Sequence, residues 1–186
     1  MKRLFSLVIA ALAAVGGWYL FQQAQQQGLT LPGFPGLAPT STQPPPARGN
    51  DTIRIATFNI QVFGEKKLDD PEAMQIIVSI LRNFDVIAIQ EVRSVAQDIL
   101  PHLVAQLNVG GHQYDYALGP RLGRSNSKEQ YAFVFDTATV EMDRHQLYTV
   151  DDPDDLLHRE PLVGWFRARG PSPEQAFTFS LATIHT

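Results

Sequence analysis

The sequence predicts an α/β domain built on packed, mixed sheets. Two β-prone segments, residues 53–60 and 85–91, are each followed by a helical pattern, and several strand-like segments come after them. This order of elements is typical of α/β domains. The chain has 186 residues, 44% of them hydrophobic, which is enough to form the core of one ordinary domain.

Both helical segments begin at recognisable signals. Residues 70–72, Asp-Pro-Glu, provide an N-cap, a first-turn proline and an acidic side chain, and apolar residues recur at helical spacing over 73–84. Ser94 to Gln97 matches a capping box, which predicts a second helix beginning there. Because proline disrupts a helix interior, we expect a kink or a restart of this helix near Pro101.

The strand-like segments that follow are residues 114–119, 130–136, 139–143, 162–168 and 176–186. The last of them reaches the final residue with no terminating signal. That is unusual for a complete domain, so we expect the chain to be a fragment or a truncated gene product.

The N-terminal region differs in composition from the rest. Lys2 and Arg3 precede an uncharged apolar run over residues 4–21, which is long enough for a helix to cross a bilayer. The basic pair predicts that the N-terminus stays inside and the remainder is exported. We therefore predict a membrane anchor over 1–21, with a cleaved signal peptide, and hence a secreted or periplasmic protein, as the alternative.

Residues 22–50 are rich in glutamine, proline and glycine and show no apolar period, which predicts a disordered linker. The folded part is predicted to span 51–186. Its net charge of −4, counted over the whole chain, argues against an overall basic nucleic-acid-binding surface. The absence of cysteine excludes disulfides and thiolate metal sites.

Polar acceptors stand at the ends of the first two predicted strands. Asn59 and Glu91 occupy these positions, where α/β proteins usually place ligands. A carboxylate there suits Mg²⁺ or Ca²⁺, which prefer oxygen ligands. Each residue also has a purely structural interpretation, since asparagine caps turns and glutamate leaves the core at strand ends.

Two further segments contain candidate catalytic side chains. The loop before the 130–136 strand places Arg121, Arg124 and Lys128 beside Glu129, which suits contact with a phosphodiester backbone. His185 lies on the last apolar segment, where a neighbouring carboxylate would let it serve as a general acid or base. A solvated loop and a structural histidine are the alternatives.

Four motifs in order make the whole pattern specific. They are Thr-Phe-Asn at 57–59, Gln-Glu-Val-Arg at 90–93, the glycine-arginine to Lys-Glu-Gln-Tyr loop at 123–131, and Ile-His at 184–185. This order closely resembles the endonuclease/exonuclease/phosphatase superfamily, and its deoxyribonuclease I-like branch in particular. The resemblance implies a four-layer α/β/β/α fold, a β-sandwich flanked by helices, with its N-terminal half in this chain.

The resemblance also implies roles for individual residues. Glu91 would be the metal ligand, with Asn59 as its neighbour at the metal and the scissile phosphate. Arg93 and Arg124 would contact substrate phosphate. The implied cofactor is Mg²⁺, with Ca²⁺ or Mn²⁺ as alternatives.

His185 would be the catalytic histidine, with Glu129 orienting it, so that an activated water attacks phosphorus. The implied substrate is nucleic acid, DNA rather than RNA, and no protein partner is inferred. A phosphomonoesterase or lipid phosphodiesterase of the same superfamily and a non-catalytic surface module are the alternatives.

Two departures from the family pattern stand out. Ser127 occupies the loop position where the deoxyribonuclease branch commonly has a substrate-contacting tyrosine, which weakens the inference to duplex DNA. The motifs of the family's second half, an Asp-x-Asn pair, a later aspartate and a terminal Asp-His, are absent up to residue 186. We therefore expect these 186 residues alone to have little or no hydrolytic activity.

An acidic cluster at 151–155, four aspartates around a proline, is a further candidate for cation binding. Its spacing matches no EF-hand loop, and Asp-Pro sequences commonly form turns. We interpret it as a solvated loop.

Overall fold

Strands and helices follow the predicted order in the computed structural model, which describes residues 52–124 and 128–185. Within these ranges the strands are β1 Ile55–Phe63, β2 Val86–Val92, β3 Tyr114–Leu118, β4 Gln130–Asp136, β5 Val140–Thr149, β6 Leu162–Ala168 and β7 Thr178–Thr183. The helices are α1 Glu65–Leu68, α2 Pro71–Leu81 and α3 Ile99–Leu107.

The strands form two sheets, as predicted for an α/β domain with packed sheets. In the described residues the first sheet has the order β1-β2-β4-β3, with β1 parallel to β2 and the other pairs antiparallel. The second sheet is antiparallel, with the order β5-β6-β7. Every residue of β2 and β4 is buried, which explains why their sequences are almost continuously apolar.

The helices cover one face of the first sheet. The Asp70 carboxylate accepts hydrogen bonds from the backbone amides of Glu72 and Ala73, both at 3.1 Å, and so caps α2 as predicted. The apolar faces of α2 and α3 pack against the sheet in one hydrophobic cluster. Its helical members are Met74, Ile77, Val78, Leu81, Ile99, Leu100, Leu103 and Leu107.

A second core lies between the two sheets and contains an aromatic group. Phe133 and Phe135 of β4 meet the ring of Phe166 edge-on, and that ring stacks on Phe179. The sheets approach so closely at Gly164 that an added Cβ would lie 2.9 Å from a ring carbon of Phe133. Burial on this face therefore fixes the position of the second sheet relative to the first.

One predicted helix boundary is wrong. The helix predicted to begin at the Ser94 capping box begins instead at Ile99, and the Ser94 hydroxyl donates to the Asp98 carboxylate at 2.9 Å. Gln97 has a φ of 56°, which no continuous helix allows. Pro101 then falls in the first turn of α3, where its missing N–H is not needed. The helix therefore begins near Pro101, as expected, but no helical segment precedes it, so it is neither kinked nor restarted there.

The last strand is shorter than predicted. β7 begins at Thr178 and ends at Thr183, so His185 follows the strand instead of lying on it. The backbone amide of His185 donates to the Tyr131 hydroxyl of β4 at 2.9 Å. This contact holds His185, which lies beyond the end of β7, against the first sheet.

The predicted anchor at 1–21 and linker at 22–50 lie outside the described residues, as does Ser127. Over 52–124 and 128–185, no helix has the length and apolar character required to cross a membrane.

Candidate active site

Glu91 lies on a β-bulge where β2 ends. The pairing of β2 with β4 shifts register between Ile89 and Val92, and the pairing of β1 with β2 shifts after Asn59. Glu91 and Val62 both have a positive backbone φ, 61° and 51°, which is uncommon for residues other than glycine. Bulges redirect side chains, and this pair turns Glu91 out of the strand alternation.

The Glu91 carboxylate is held by donors from β1. Its Oε2 accepts the backbone amide of Val62 at 2.9 Å, and its Oε1 accepts the side-chain amide of Asn59 at 3.0 Å. Burial by itself would raise the pKa of Glu91. The two hydrogen bonds and the charges of Arg93 and His185 outweigh that effect and hold the pKa below its ordinary value of 4.5. Glu91 is therefore ionised at neutral pH.

His185 lies between two carboxylates. Its Nδ1 is 2.6 Å from Glu129 Oε1, and its Nε2 is 3.6 Å from Glu91 Oε1. The Asn59 amide nitrogen is 3.3 Å from the same Nε2. The predicted convergence of Asn59, Glu91, Glu129 and His185 is thus present, although these residues come from both sheets and span 126 positions.

Glu129 is a fully buried carboxylate, with none of its side chain exposed. Arg93 Nη2 lies 3.2 Å from its Oε2, and Arg159 Nε lies 3.3 Å from its Oε1. A buried charge is tolerated only when it is paired and hydrogen-bonded, and here the two arginines and the His185 ring meet that need. Main-chain hydrogen bonds with Leu122, 2.9 Å in each direction, hold the Glu129 backbone.

Three residues of this region were missed in the sequence interpretation. Arg159, 7% exposed, contacts Glu129, and Tyr131 and Gln90 contact the segment that carries His185. Tyr131 and Gln90 resemble ordinary members of buried strands, and Arg159 precedes β6 with no motif of its own. Gln90 and Tyr131 lie within the motifs at 90–93 and 123–131, but their contacts depend on the packing of the sheets, so the motifs alone did not reveal their roles. Arg159 had no local signal.

Arg93 joins the cluster, whereas Arg124 contacts the loop over residues 155–158. Arg124 Nη2 donates to the backbone carbonyl of Asp155 at 2.7 Å and lies 3.0 Å from its carboxylate. Asp152 of the same acidic loop accepts the backbone amide of Leu157 at 2.6 Å. Two of the four clustered aspartates thus serve local contacts, in agreement with a loop role.

The donor chemistry at Glu91 suits a hard divalent cation. Each carboxylate oxygen has two lone-pair directions and accepts one hydrogen bond from the backbone of Val62 or from Asn59, so acceptor capacity remains. Mg²⁺ is commonly held by one or two carboxylates and retains several waters. No group of three or more His, Asp or Glu side chains suited to a metal occurs among the described residues. Glu91 would hold a cation through the remaining acceptor capacity of its carboxylate.

A partly exposed histidine paired with a buried glutamate, beside an ionised carboxylate and an amide, is an arrangement suited to hydrolysis. Comparison with known families agrees with this description. Residues 56–178 match the model of the endonuclease/exonuclease/phosphatase family, and the chain belongs to this family. The family resemblance inferred from the four motifs is confirmed. The matched range includes Asn59, Glu91 and Glu129, while His185 lies beyond it.

Proteins similar in sequence to this chain include three deoxyribonucleases. Human deoxyribonuclease gamma is 36% identical over 140 residues, covering 72% of this chain and 45% of the relative. Human deoxyribonuclease-1-like 2 is 39% identical over 125 residues, covering 67% and 41%. Chicken (Gallus gallus) deoxyribonuclease-1 is 35% identical over 118 residues, covering 60% and 41%. The chain thus spans less than half the length of these relatives.

Proposed function

We propose that the protein is a metal-dependent phosphodiester hydrolase, a nuclease of the deoxyribonuclease I-like type, with DNA as a more suitable substrate than RNA. The observation that carries the proposal is the position of His185, with Glu129 at its Nδ1 and the Asn59 and Glu91 pair at its Nε2. Family membership and the deoxyribonuclease relatives support it.

The Glu129–His185 pair provides the proton transfer. Because Glu129 accepts a hydrogen bond at Nδ1, the proton of the neutral ring resides there and Nε2 is left as the base. A water near Nε2 can then lose its proton to His185 as it attacks phosphorus, while the bond from phosphorus to the leaving oxygen breaks and the imidazolium returns the proton to that oxygen. The buried Glu129 carboxylate stabilises the imidazolium that results.

Charge on the phosphate would be met by Arg93 and by a cation at Glu91. Arg93 Nη2 lies 3.4 Å from Glu91 and its side chain is 30% exposed, so it can reach a bound phosphate. Mg²⁺ bound at Glu91, with Ca²⁺ or Mn²⁺ as alternatives, supplies positive charge to the phosphate oxygens. Arg124 is proposed as a more distant phosphate contact, and Asn59 as a group that orients the Glu91 carboxylate.

Two finer features belong to this proposal. We propose that the protein is extracytoplasmic and anchored by residues 1–21, because Lys2 and Arg3 precede a long apolar run. Membrane fractionation with and without alkaline carbonate extraction tests this, since an anchor resists extraction.

We also propose the four-layer α/β/β/α arrangement for the complete fold, supported by the two packed sheets and the greater length of the relatives.

The test is a plasmid-nicking assay with Mg²⁺ and with EDTA. It uses the 186-residue chain and, where the gene continues in frame beyond Thr186, the longer product. We expect little or no activity from the chain alone and metal-dependent nicking from the longer product. RNA, sphingomyelin and p-nitrophenyl phosphate serve as parallel substrates. Preferential hydrolysis of either of the last two would favour a lipid phosphodiesterase or phosphomonoesterase.

Single substitutions test the site within the active form. Glu91→Ala and His185→Ala should each reduce the nicking rate by about 10²- to 10⁴-fold, as expected for loss of a catalytic group. Glu141→Ala, which removes an ion pair on β5, is the matched control and should leave the rate unchanged. Equal rates for His185→Ala and the control, or no hydrolysis by any form of the protein, would refute the proposal.

A further inference from the structure

A buried side-chain amide links the two sheets directly behind the candidate active site. Gln90 Nε2 of β2 donates to the hydroxyl of Thr183 on β7 at 2.7 Å and to that of Thr57 on β1 at 2.9 Å. Gln90 is 5% exposed and Thr183 is 3% exposed. Because buried polar groups are costly unless they are paired, this geometry favours one fixed placement of β7 against β2.

A second polar link lies two residues past the end of β7. The Tyr131 hydroxyl accepts the backbone amide of His185 at 2.9 Å and lies 3.5 Å from the carbonyl oxygen of the same residue. Tyr131 is 1% exposed. The backbone of His185 is therefore held on the first sheet although the residue lies past the end of its own strand.

The positions of the two links along the chain are informative. Gln90 immediately precedes Glu91, and Tyr131 follows Glu129 by two residues. Their partners are Thr183 and His185 itself. Each link thus begins beside one of the site carboxylates and ends within two residues of the histidine.

We propose that Gln90 and Tyr131 are positioning residues, which together form an inter-sheet brace that sets the His185 ring between Glu129 and Glu91. The inference rests on the proposed function, because positioning matters only if His185 transfers a proton. Without the brace, the short segment after β7 would be held to the first sheet chiefly by the His185 ring. Rotation of that ring would then break the contact with Glu129.

The chemistry of Tyr131 suits this role. Burial is the main cause of a raised pKa for its phenol, and the nearby Glu129 charge acts in the same direction. The hydroxyl consequently stays protonated across the neutral range. It can accept from the His185 amide under all conditions in which the histidine would act.

The experiment uses the full chain labelled with ¹⁵N-histidine and records two-bond ¹H–¹⁵N spectra of the ring nitrogens at pH 8. In the native protein we expect the His185 ring shifts to differ from those of free histidine, because the ring is held between two carboxylates. Tyr131→Phe should move them at least half of the way towards the free values. Thr183→Val should do the same and leaves Gln90 its hydrogen bond to Thr57.

Tyr114→Phe is the matched control, because this buried tyrosine donates to the backbone carbonyl of Phe84 at 2.9 Å, away from His185. It should leave the His185 shifts unchanged. The brace is refuted if Tyr131→Phe and Thr183→Val both retain the native shifts, if the native shifts equal those of free histidine, or if the control moves them equally.

Should Tyr131→Phe not fold, Thr183→Val, which keeps the side-chain shape, decides the question alone. The measurement involves no hydrolysis, so the two proposals fail separately. If the shifts respond as expected but no substrate is cleaved, the brace stands and the proposed function falls. If nicking depends on His185 but the ring shifts stay constant in Tyr131→Phe and Thr183→Val, the proposed function stands and the brace falls.

Discussion

The two sheets contribute to the site in different ways. The first sheet supplies Asn59, Glu91 and Glu129 from a scaffold whose central strands are buried along their whole length. His185 follows β7 of the second sheet, and this strand alternates between exposed and partly buried residues before ending at the buried Thr183. None of the Glu129 side chain is exposed, whereas 25% of the His185 side chain is.

This difference matches the work that each side chain is proposed to do. A carboxylate that orients a histidine benefits from a dry, rigid setting, because its interactions are strongest where water is excluded. A histidine that exchanges protons must remain accessible to water and substrate. The buried sheet thus provides the fixed charges, and the more exposed sheet leads into the histidine that is proposed to exchange protons with substrate and water.

Replacing the buried carboxylate should have the largest effect on stability. Glu129→Gln removes a negative charge from between Arg93, Arg159 and His185, and loss of one member of a buried ion pair typically costs about 3–5 kcal/mol. Urea unfolding at pH 7 measures the change. Glu141→Gln on the second sheet breaks partly exposed ion pairs with Arg167 and Arg169, and should cost about 0–1 kcal/mol. Equal costs would show that the two sheets do not differ in this way.

Separating the sheets slightly should have an intermediate effect. Gly164→Ala places a Cβ 2.9 Å from Phe133 and 3.0 Å from Met142, and such overpacking typically costs about 1–3 kcal/mol. The melting temperature and the free energy of unfolding report the loss. Gly64→Ala, where the nearest atom to an added Cβ is 3.5 Å away, should change stability by about 0.5 kcal/mol. An unchanged free energy of unfolding in Gly164→Ala would indicate that the two sheets are loosely packed at this position.

The smallest effect on stability should come from the charge of Glu91 on the first sheet, and it should be visible as the pH is lowered. The pKa of Glu91 is below 4.5 in the folded protein, so its ionised form stabilises the fold above the unfolded-state pKa. This contribution is lost as the pH falls through the lowered pKa. We expect the stability difference between the native protein and Glu91→Gln, measured by urea unfolding, to shrink progressively below about pH 4.5. A difference that stays constant from pH 7 to pH 3 would contradict the assignment.

Part of the site could be predicted because Glu91 stands next to the end of β2, as expected. The same expectation was wrong for Asn59, because β1 continues to Phe63 and places Asn59 inside the strand. Asn59 and Glu91 belong to apolar segments whose strand character was clear from sequence, and Ile87 and Ile89 of β2 are fully buried, in agreement with that pattern. The N-cap of α2 at Asp70 could also be predicted from local sequence, because its signal occupies consecutive residues. Where the signal was ambiguous, at Ser94, the prediction was wrong because a side-chain contact with Asp98 replaced the expected capping box.

The amino-acid sequence by itself determined the strand order along the chain, the α/β class and the four motifs, because these depend on neighbouring residues and on periodicity. Only the tertiary structure decided that Arg159 pairs with Glu129, and that Gln90 and Tyr131 reach β7 and His185. Such contacts depend on the register of each strand and on how closely two sheets pack. These are properties of the whole fold, and no local stretch of sequence encodes them.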